Sequence, residues 1–548
     1  MPVHFSRFSV APLAAAIGLS FVLAGCGGGS EEVLNATPAF IKLVKIGGYD
    51  GGAVGAAEIT AYDAASKRLF VVNGANGTVD VLDLSDPASP KRVGSIDVSS
   101  YGAGVNSVAI HEGLVALAAE ANPKTNPGTV AFYNAADLRL LNRVTVGAQP
   151  DMLVFTPDGR FVLSANEGEP SGYGVPGAVD PEGSVSIITV NRGGTPTVAT
   201  ADFRAFNSQM DSLRAAGVRI YGPGASVAQD LEPEYITFSA DGATAYVALQ
   251  ENNAIATVDI ANARVTSIRP LGWKDHNLAG MGMDVSDEDA GTNTNSGTAL
   301  VKIQQVPVRG LYLPDAIASY TVGGKTYILS ANEGDSRADW PGFNEESRVR
   351  AYCSAGLDPA VFGANAANLL FDSNLGRLQI TTAPNGNDNG KNALGQCNAL
   401  YSFGARSFSI WDASNISRVY DSGDELERLS LNMTNVAFNA SNSNNTLDSR
   451  SPSKGPEPEG VVVGKFGEKF YAFVGLERVG GVVVYDVTNP TKPFFVELLN
   501  TRTEATGDRG PEGLTLIPAD KSPNGKALLI VGNETSGTVA IIQINEFR

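Results

Sequence analysis

The sequence predicts an all-β chain, a seven-bladed β-propeller closed by its own N-terminal strand. Three observations predict it: one pattern recurs seven times, the last copy stops a strand short, and a lone apolar run precedes the first copy. Gly 61 in 548 residues and many short apolar runs between polar turns agree with small sheets rather than with disorder. A small sheet cannot bury its faces alone, but it can against two neighbours, so radial repetition suits this pattern.

Each copy reads as an acidic turn, an apolar strand, a tight turn, a second apolar strand ending near Glu, and a third strand. The first runs from Glu58-Ile59-Thr60 through Arg68-Leu69-Phe70-Val71-Val72-Asn73 to Gly77-Thr78-Val79-Asp80-Val81. The next open at Val105-Asn106-Ser107, Pro150-Asp151-Met152, Glu232-Pro233-Glu234-Tyr235 and Leu313-Pro314-Asp315-Ala316. The sixth opens at Glu457-Pro458-Glu459-Gly460 and the seventh at Gly510-Pro511-Glu512-Gly513. The seventh stops after its third strand, Gly537-Thr538-Val539-Ala540-Ile541-Ile542, and residues 40–46 are expected to supply the fourth. The propeller is thus expected over 39–548, with insertions near 192–231, 265–310 and 338–406 and a short helix within 207–216.

The N-terminus predicts location. His4 and Arg7 precede an apolar run over 10–23 that ends in Leu23-Ala24-Gly25-Cys26, the pattern of a lipoprotein signal. Residues 1–25 are expected to be the signal peptide, Cys26 the lipidated first residue of the mature chain, and 26–38 a flexible tether. The run is shorter than the roughly 20 residues a spanning helix needs. No aspartate directly follows Cys26, which points to a lipid anchor in the outer membrane of a cell envelope. Cys353 and Cys397 remain, both in one insertion; an even pair in an oxidising compartment is more often a disulfide than a metal site. With no CxxC spacing and three histidines, a structural zinc site is disfavoured.

Charge narrows the partners. With 58 acidic against 40 basic residues the formal charge is -18, which repels nucleic acid and an anionic bilayer and favours cations. The acids recur at two positions. The turn entering the first strand carries Glu58, Asp151, Glu234, Asp315, Glu459 and Glu512, with Asn106 in the second copy; the end of the second strand carries Glu120, Glu167, Glu251, Glu333, Glu477 and Glu534, with Asn73 in the first. In an antiparallel meander both positions lie at one end of the sheet, so both sets should ring one mouth of the central channel. Like charges at that density must be protonated, hydrogen-bonded or neutralised. Oxygen-only ligands suit calcium before magnesium or another divalent metal. Glu167, Glu234, Glu251, Asp315, Glu333, Asp335, Glu459, Glu477, Glu512 and Glu534 are the candidate ligands, and capping of turn amides is the competing role. Arg337, Arg478 and Arg509 sit among these acids, either to hold a phosphate or to pair with carboxylates. Asp284, Asp287 and Asp289 form a second cluster at spacings that can wrap calcium, without the EF-hand pattern.

At Glu232-Pro233-Glu234-Tyr235, Lys274-Asp275-His276, Ala331-Asn332-Glu333-Gly334-Asp335-Ser336-Arg337, Glu457-Pro458-Glu459-Gly460 and Gly510-Pro511-Glu512-Gly513 the chain resembles choice-of-anchor I proteins. That family includes mesenchyme-specific cell-surface glycoproteins and bacterial members often labelled alkaline phosphatase. The resemblance implies an anchored extracellular propeller and much less about chemistry. No Gly-x-Ser-x-Gly elbow, serine triad or phosphate-cradling glycine loop is present, which disfavours serine hydrolysis. Two readings remain: a calcium-dependent phosphoesterase, or a non-catalytic calcium-binding surface scaffold or adhesion module.

Overall fold

The computed structural model describes residues 39–338 and 340–547. The expected signal peptide, Cys26 and the tether lie outside the described residues. The chain is all-β. Among the described residues, seven four-stranded antiparallel sheets follow one another, with a five-stranded sheet and a two-stranded ribbon besides. The first of the seven comprises Thr60–Asp63, Arg68–Asn73, Thr78–Asp83 and Lys91–Asp97 in sequence order. The last is built from both ends of the chain: Pro511–Ile517, Ala527–Asn533 and Thr538–Phe547 are joined by Phe40–Asp50, which pairs antiparallel with Thr538–Phe547 from Phe40↔Phe547 to Asp50↔Thr538.

Packing follows from the residue pattern. Second and third strands are apolar on both faces, as in Leu69-Phe70-Val71-Val72, all fully buried, because each face meets a neighbouring sheet. Leu69 and Val71 pack with Leu528, Ile530 and Ile541 of the last sheet, while Phe70 and Val72 pack with Val115 and Leu117 of the second. Apolar clusters of the same kind fill the other spaces between consecutive sheets. The first strands of consecutive sheets also touch, and Pro511–Ile517 touches Thr60–Asp63.

Insertion boundaries differ from expectation. Thr197–Asp202 and Arg264–Pro270 are the fourth strands of their sheets, so those insertions start several residues later than expected. These two strands bury only Ala201 in the one and Val265 and Ile268 in the other, which makes them read as loop. The first insertion carries the helix Met210–Ala216 and the short turn Val227–Asp230. The two larger insertions do not hang separately. Trp273–Asp275 and Arg309–Leu311 of one, and Glu346–Arg348, Gln379–Thr381 and Tyr401–Ser402 of the other, form the five-stranded sheet, joined by the parallel pair Arg309↔Tyr401. The Cys353–Cys397 disulfide is formed and lies in an apolar cluster with Val306, Val349, Leu378 and Leu400. A further long connection, 422–457, runs between the fifth and sixth sheets and was not among the expected insertions. No helix among the described residues is long and apolar enough to cross a membrane.

Candidate functional site

Proline and a bulge aim the first set of acids. In the third, fourth, sixth and seventh sheets the first strand begins with Pro, and the register slips just after it: Pro150 to Leu153, Pro233 to Ile236, Pro458 to Val461 and Pro511 to Leu514. Two residues then oppose one, and the first of them is Asp151, Glu234, Glu459 or Glu512. Proline lacks the ladder donor, and a bulge turns a side chain away from regular pleating. Asn106 of the second sheet occupies a bulge of the same kind. Asp151, Asp315 and Glu512 line a central cavity of about 310 Å³ together with Asn106, Thr60, Ser107 and Tyr235.

The second set meets the first at this mouth, and the electrostatics show how close the two are. Burial raises Glu58 to about 8, with Glu534 and Asp151 adding to it. Burial raises Asp151 to about 7, helped by Glu169 and Glu120. Burial also takes Glu251 to about 8, against the pull of Arg337. Glu167, Glu234, Asp315, Glu459 and Glu512 all lie well above the carboxylate range, through burial first and then through neighbouring carboxylates, Asp151 for Glu167, Glu251 for Glu234, Glu333 for Asp315, Glu477 for Glu459 and Glu58 for Glu512. Glu512 feels Glu58, Glu534, Asp315 and Asp151, which belong to four different sheets. One carboxylate oxygen each of Glu234, Glu251, Glu459, Glu477 and Glu512 is buried without a hydrogen-bond partner.

One sector of the mouth carries its own cations. The Lys454 ammonium lies 2.6 Å from Glu333, 3.2 Å from Glu457 and 3.5 Å from Asp335. Glu457 also accepts from Arg450 and, at 2.8 Å, from Arg478. Burial alone would raise Glu457, but Lys454, Arg450 and Arg478 together hold it at about 2. Oxygens of Glu333, Glu457 and Glu477 lie within 4.8 Å of one another, a spacing that suits a metal, yet Lys454 already pairs with two of the three, Glu333 and Glu457. Glu477 differs: Arg478 is 2.8 Å away and Asn442 donates to it at 2.9 Å, but it remains raised by burial and by Glu457. Arg478 is shared with Glu457, which is held ionised by three cations, so it only partly offsets the burial of Glu477.

The three arginines separate. Arg337 is buried, pairs with Asp230 at 3.2 Å and Glu232 at 2.9 Å, and lies over the Tyr221 ring. Its charge is used within the protein. Arg478 is committed to Glu457 and Glu477. Arg509 is half-buried, donates from Nη1 to the Asn442 carbonyl at 3.1 Å, and its Nε is buried without a partner. Sequence reasoning missed Asp230, Glu232, Arg450, Lys454 and Glu457 as site residues. Glu232 and Glu457 were in view as the residues before the Pro-Glu pairs, but nothing in the repeat marks Lys454, which comes from the 422–457 connection.

The second acidic cluster is also redistributed. Asp284 and Asp289 come together with Asp448, their oxygens within 4.8 Å, and all three are buried. Asp287 is not with them; it pairs with Arg377 at 2.5 Å, as Glu288 does at 3.2 Å.

The chain is 31% identical over 191 residues to Gigasin-3a of Magallana gigas, covering 32% of this chain and 66% of that protein. It is 28% identical over 334 residues to a mesenchyme-specific cell surface glycoprotein of Strongylocentrotus purpuratus, covering 53% of this chain and 40% of that protein. The chain thus spans less than two thirds of either relative. Among solved structures, the WD40 domain of Toxoplasma gondii coronin superposes with a TM-score of 0.45 at 9% identity, over 93% of this chain and 88% of that one. The choice-of-anchor I domain profile matches residues 58–490, most of the chain, and the chain therefore belongs to the choice-of-anchor I family.

Proposed function

We propose that this chain is a lipid-anchored propeller of the cell envelope, held through Cys26 in the outer membrane, whose acidic mouth binds a divalent cation, calcium first. Its seven sheets are the blades of one ring, closed by Phe40–Asp50. The apolar contact of Leu69 and Val71 with Leu528 and Ile530 supports closure. The observation that carries the cation reading is the set of buried carboxylate oxygens without partners on Glu234, Glu251, Glu459 and Glu512. Among the described residues, Glu58, Asp151, Glu234, Asp315, Glu459 and Glu512 are in none of the ion pairs, which leaves their charge to protons or to a cation. Carboxylates and the Asn106 amide around a cavity offer hard oxygen donors, the chemistry calcium prefers. The name of the sea urchin relative, a cell surface glycoprotein, supports a displayed scaffold or adhesion role.

Phosphoester hydrolysis is the second reading, and Arg509 favours it: among the described residues its guanidinium is in none of the ion pairs and donates to the Asn442 carbonyl, while its backbone meets the Glu534 turn through Ser536. Arg337 and Arg478 do not add to it, because their charges are already balanced.

Stripping the purified chain with EGTA and returning calcium tests both. The melting temperature should rise with calcium, since a ligand bound only by the folded state stabilises it by mass action, about 2.7 kcal/mol at a hundredfold excess over Kd. Glu234→Gln with Glu459→Gln should reduce that rise. Cleavage of p-nitrophenyl phosphate that needs calcium and falls in Arg509→Ala would favour the esterase; a calcium-dependent rise without cleavage would favour the scaffold. No rise at all would overturn the cation reading. Deleting residues 40–46 should abolish soluble folding, because it opens strand edges; an unchanged melting temperature would overturn closure.

A further inference from the structure

Two connections that leave the propeller at different places meet in a second acidic cluster. Residues 281–302 belong to the insertion after the fourth sheet, and 422–457 follow the fifth. Asp284 and Asp289 come from the first and Asp448 from the second, with one oxygen of each within 4.8 Å of the others. All three side chains are buried: Asp284 and Asp448 at 0% exposure and Asp289 at 3%.

Hydrogen bonds account for only part of this cluster. Asp284 accepts from the amides of Ser286, at 3.4 Å, and Lys302. Asp289 accepts from the amide of Leu300 at 2.8 Å. Asp448 accepts from Ser451 Oγ through Oδ1, whereas its Oδ2 is buried with no partner. Asn439, fully buried in the same connection, is in a similar state: Nδ2 donates to Glu427 and Ser451, and Oδ1 has no partner. Nearby cations are engaged elsewhere. Arg406 pairs with Glu427 at 2.6 Å and gives its remaining donors to backbone carbonyls, including that of Asp284, and Arg377 pairs with Asp287. Lys302 reaches the cluster through its amide and a weak attraction on Asp289, without an ion pair.

An unpaired buried carboxylate cluster is costly, and buried charges are found paired or on metals. Carboxylate oxygens converging from separate loops are a hard-ion ligand set. We propose that Asp284, Asp289 and Asp448 hold one divalent cation, calcium by their all-oxygen chemistry, which ties the insertion after the fourth sheet to the connection after the fifth. This site is separate from the mouth and does not depend on cation binding there.

The test uses the purified full chain, stripped with EGTA and reloaded with calcium, and reads bound calcium per chain together with melting temperature. Asp448→Asn should bind one calcium fewer than the parent and lose part of the calcium-induced rise, while Glu459→Gln should leave this ion in place. Without calcium, Asp448→Asn should melt at or above the parent, because it removes one of three crowded charges. Equal calcium content and an equal rise in parent and Asp448→Asn would overturn the proposal. If Asp448→Asn does not fold, Asp289→Asn serves the same comparison. Limited proteolysis of the unaltered chain within the exposed residues 290–299 gives an independent reading: calcium should slow cleavage about tenfold by restraining the loop. Cleavage at the same rate with and without calcium would also overturn it.

Discussion

Two sectors of one acidic mouth carry the same repeated chemistry and reach opposite electrostatic states. Around Glu333 and Glu457, Lys454, Arg450 and Arg478 supply positive charge, and Glu457 is held at about 2 despite complete burial. Around Glu58, Asp151, Glu234 and Glu512 no such cation arrives among the described residues, and burial with repulsion from neighbouring carboxylates raises the carboxyls, to about 8 for Glu58 and about 7 for Asp151. The blade pattern therefore places carboxylates, but it does not decide their charge. That depends on which non-repeated connection crosses above them, and Lys454 and Arg450 both come from 422–457.

The comparison breaks most severely at Lys454. Lys454→Met leaves Glu333 and Glu457 buried beside each other with one cation fewer, and loss of one partner from a buried pair should cost about 3–5 kcal/mol in urea unfolding. Added calcium should restore part of that loss, because it would turn the compensated sector into the uncompensated kind. A variant as stable as its parent would show that Arg450 and Arg478 suffice.

A paired substitution should follow. Glu457→Gln removes a charge that three cations need and should destabilise by about 2–3 kcal/mol. Glu459→Gln, two residues away, removes a charge with no cation and should be neutral or stabilise by about 1 kcal/mol near pH 8 in EGTA. Equal effects of the two in unfolding experiments would erase the distinction between sectors.

The pH dependence should carry opposite signs. Glu58, Asp151 and Glu251 have folded values raised above their unfolded ones, so their contribution is fully present below about pH 4 and is lost as pH rises through 7 to 8. Glu457 is depressed, so its contribution is present above about pH 4.5 and is lost as pH falls towards 2. Metal-free protein should thus lose stability between pH 5 and pH 8, and calcium should flatten that fall; a calcium-independent profile would assign the raised carboxyls to protons alone. The smallest effect is expected at Arg478, which remains partly solvated: Arg478→Ala should cost about 1 kcal/mol. A larger loss would mean that Glu477, with one oxygen already unpartnered, depends on it more than the geometry indicates.

Sequence alone determined what is local and repeated. Short continuous apolar runs specify strands because two-sided burial demands them, and the Pro-acid pairs at 150–151, 233–234, 314–315, 458–459 and 511–512 specify where each acid enters, because proline ends the ladder at a fixed offset. The Cys353–Cys397 pairing was legible because both cysteines fall within one insertion. Tertiary structure decided the rest. The joint sheet of two insertions, the placing of Lys454 between Glu333 and Glu457, and the exchange of Asp287 for Asp448 beside Asp284 all join segments with no common period. Charge pairing acts through space over a few ångströms, whereas a repeat encodes only hydrogen bonding and burial within its own sheet, so the partners of these carboxylates emerge only when the connections are laid across the blades.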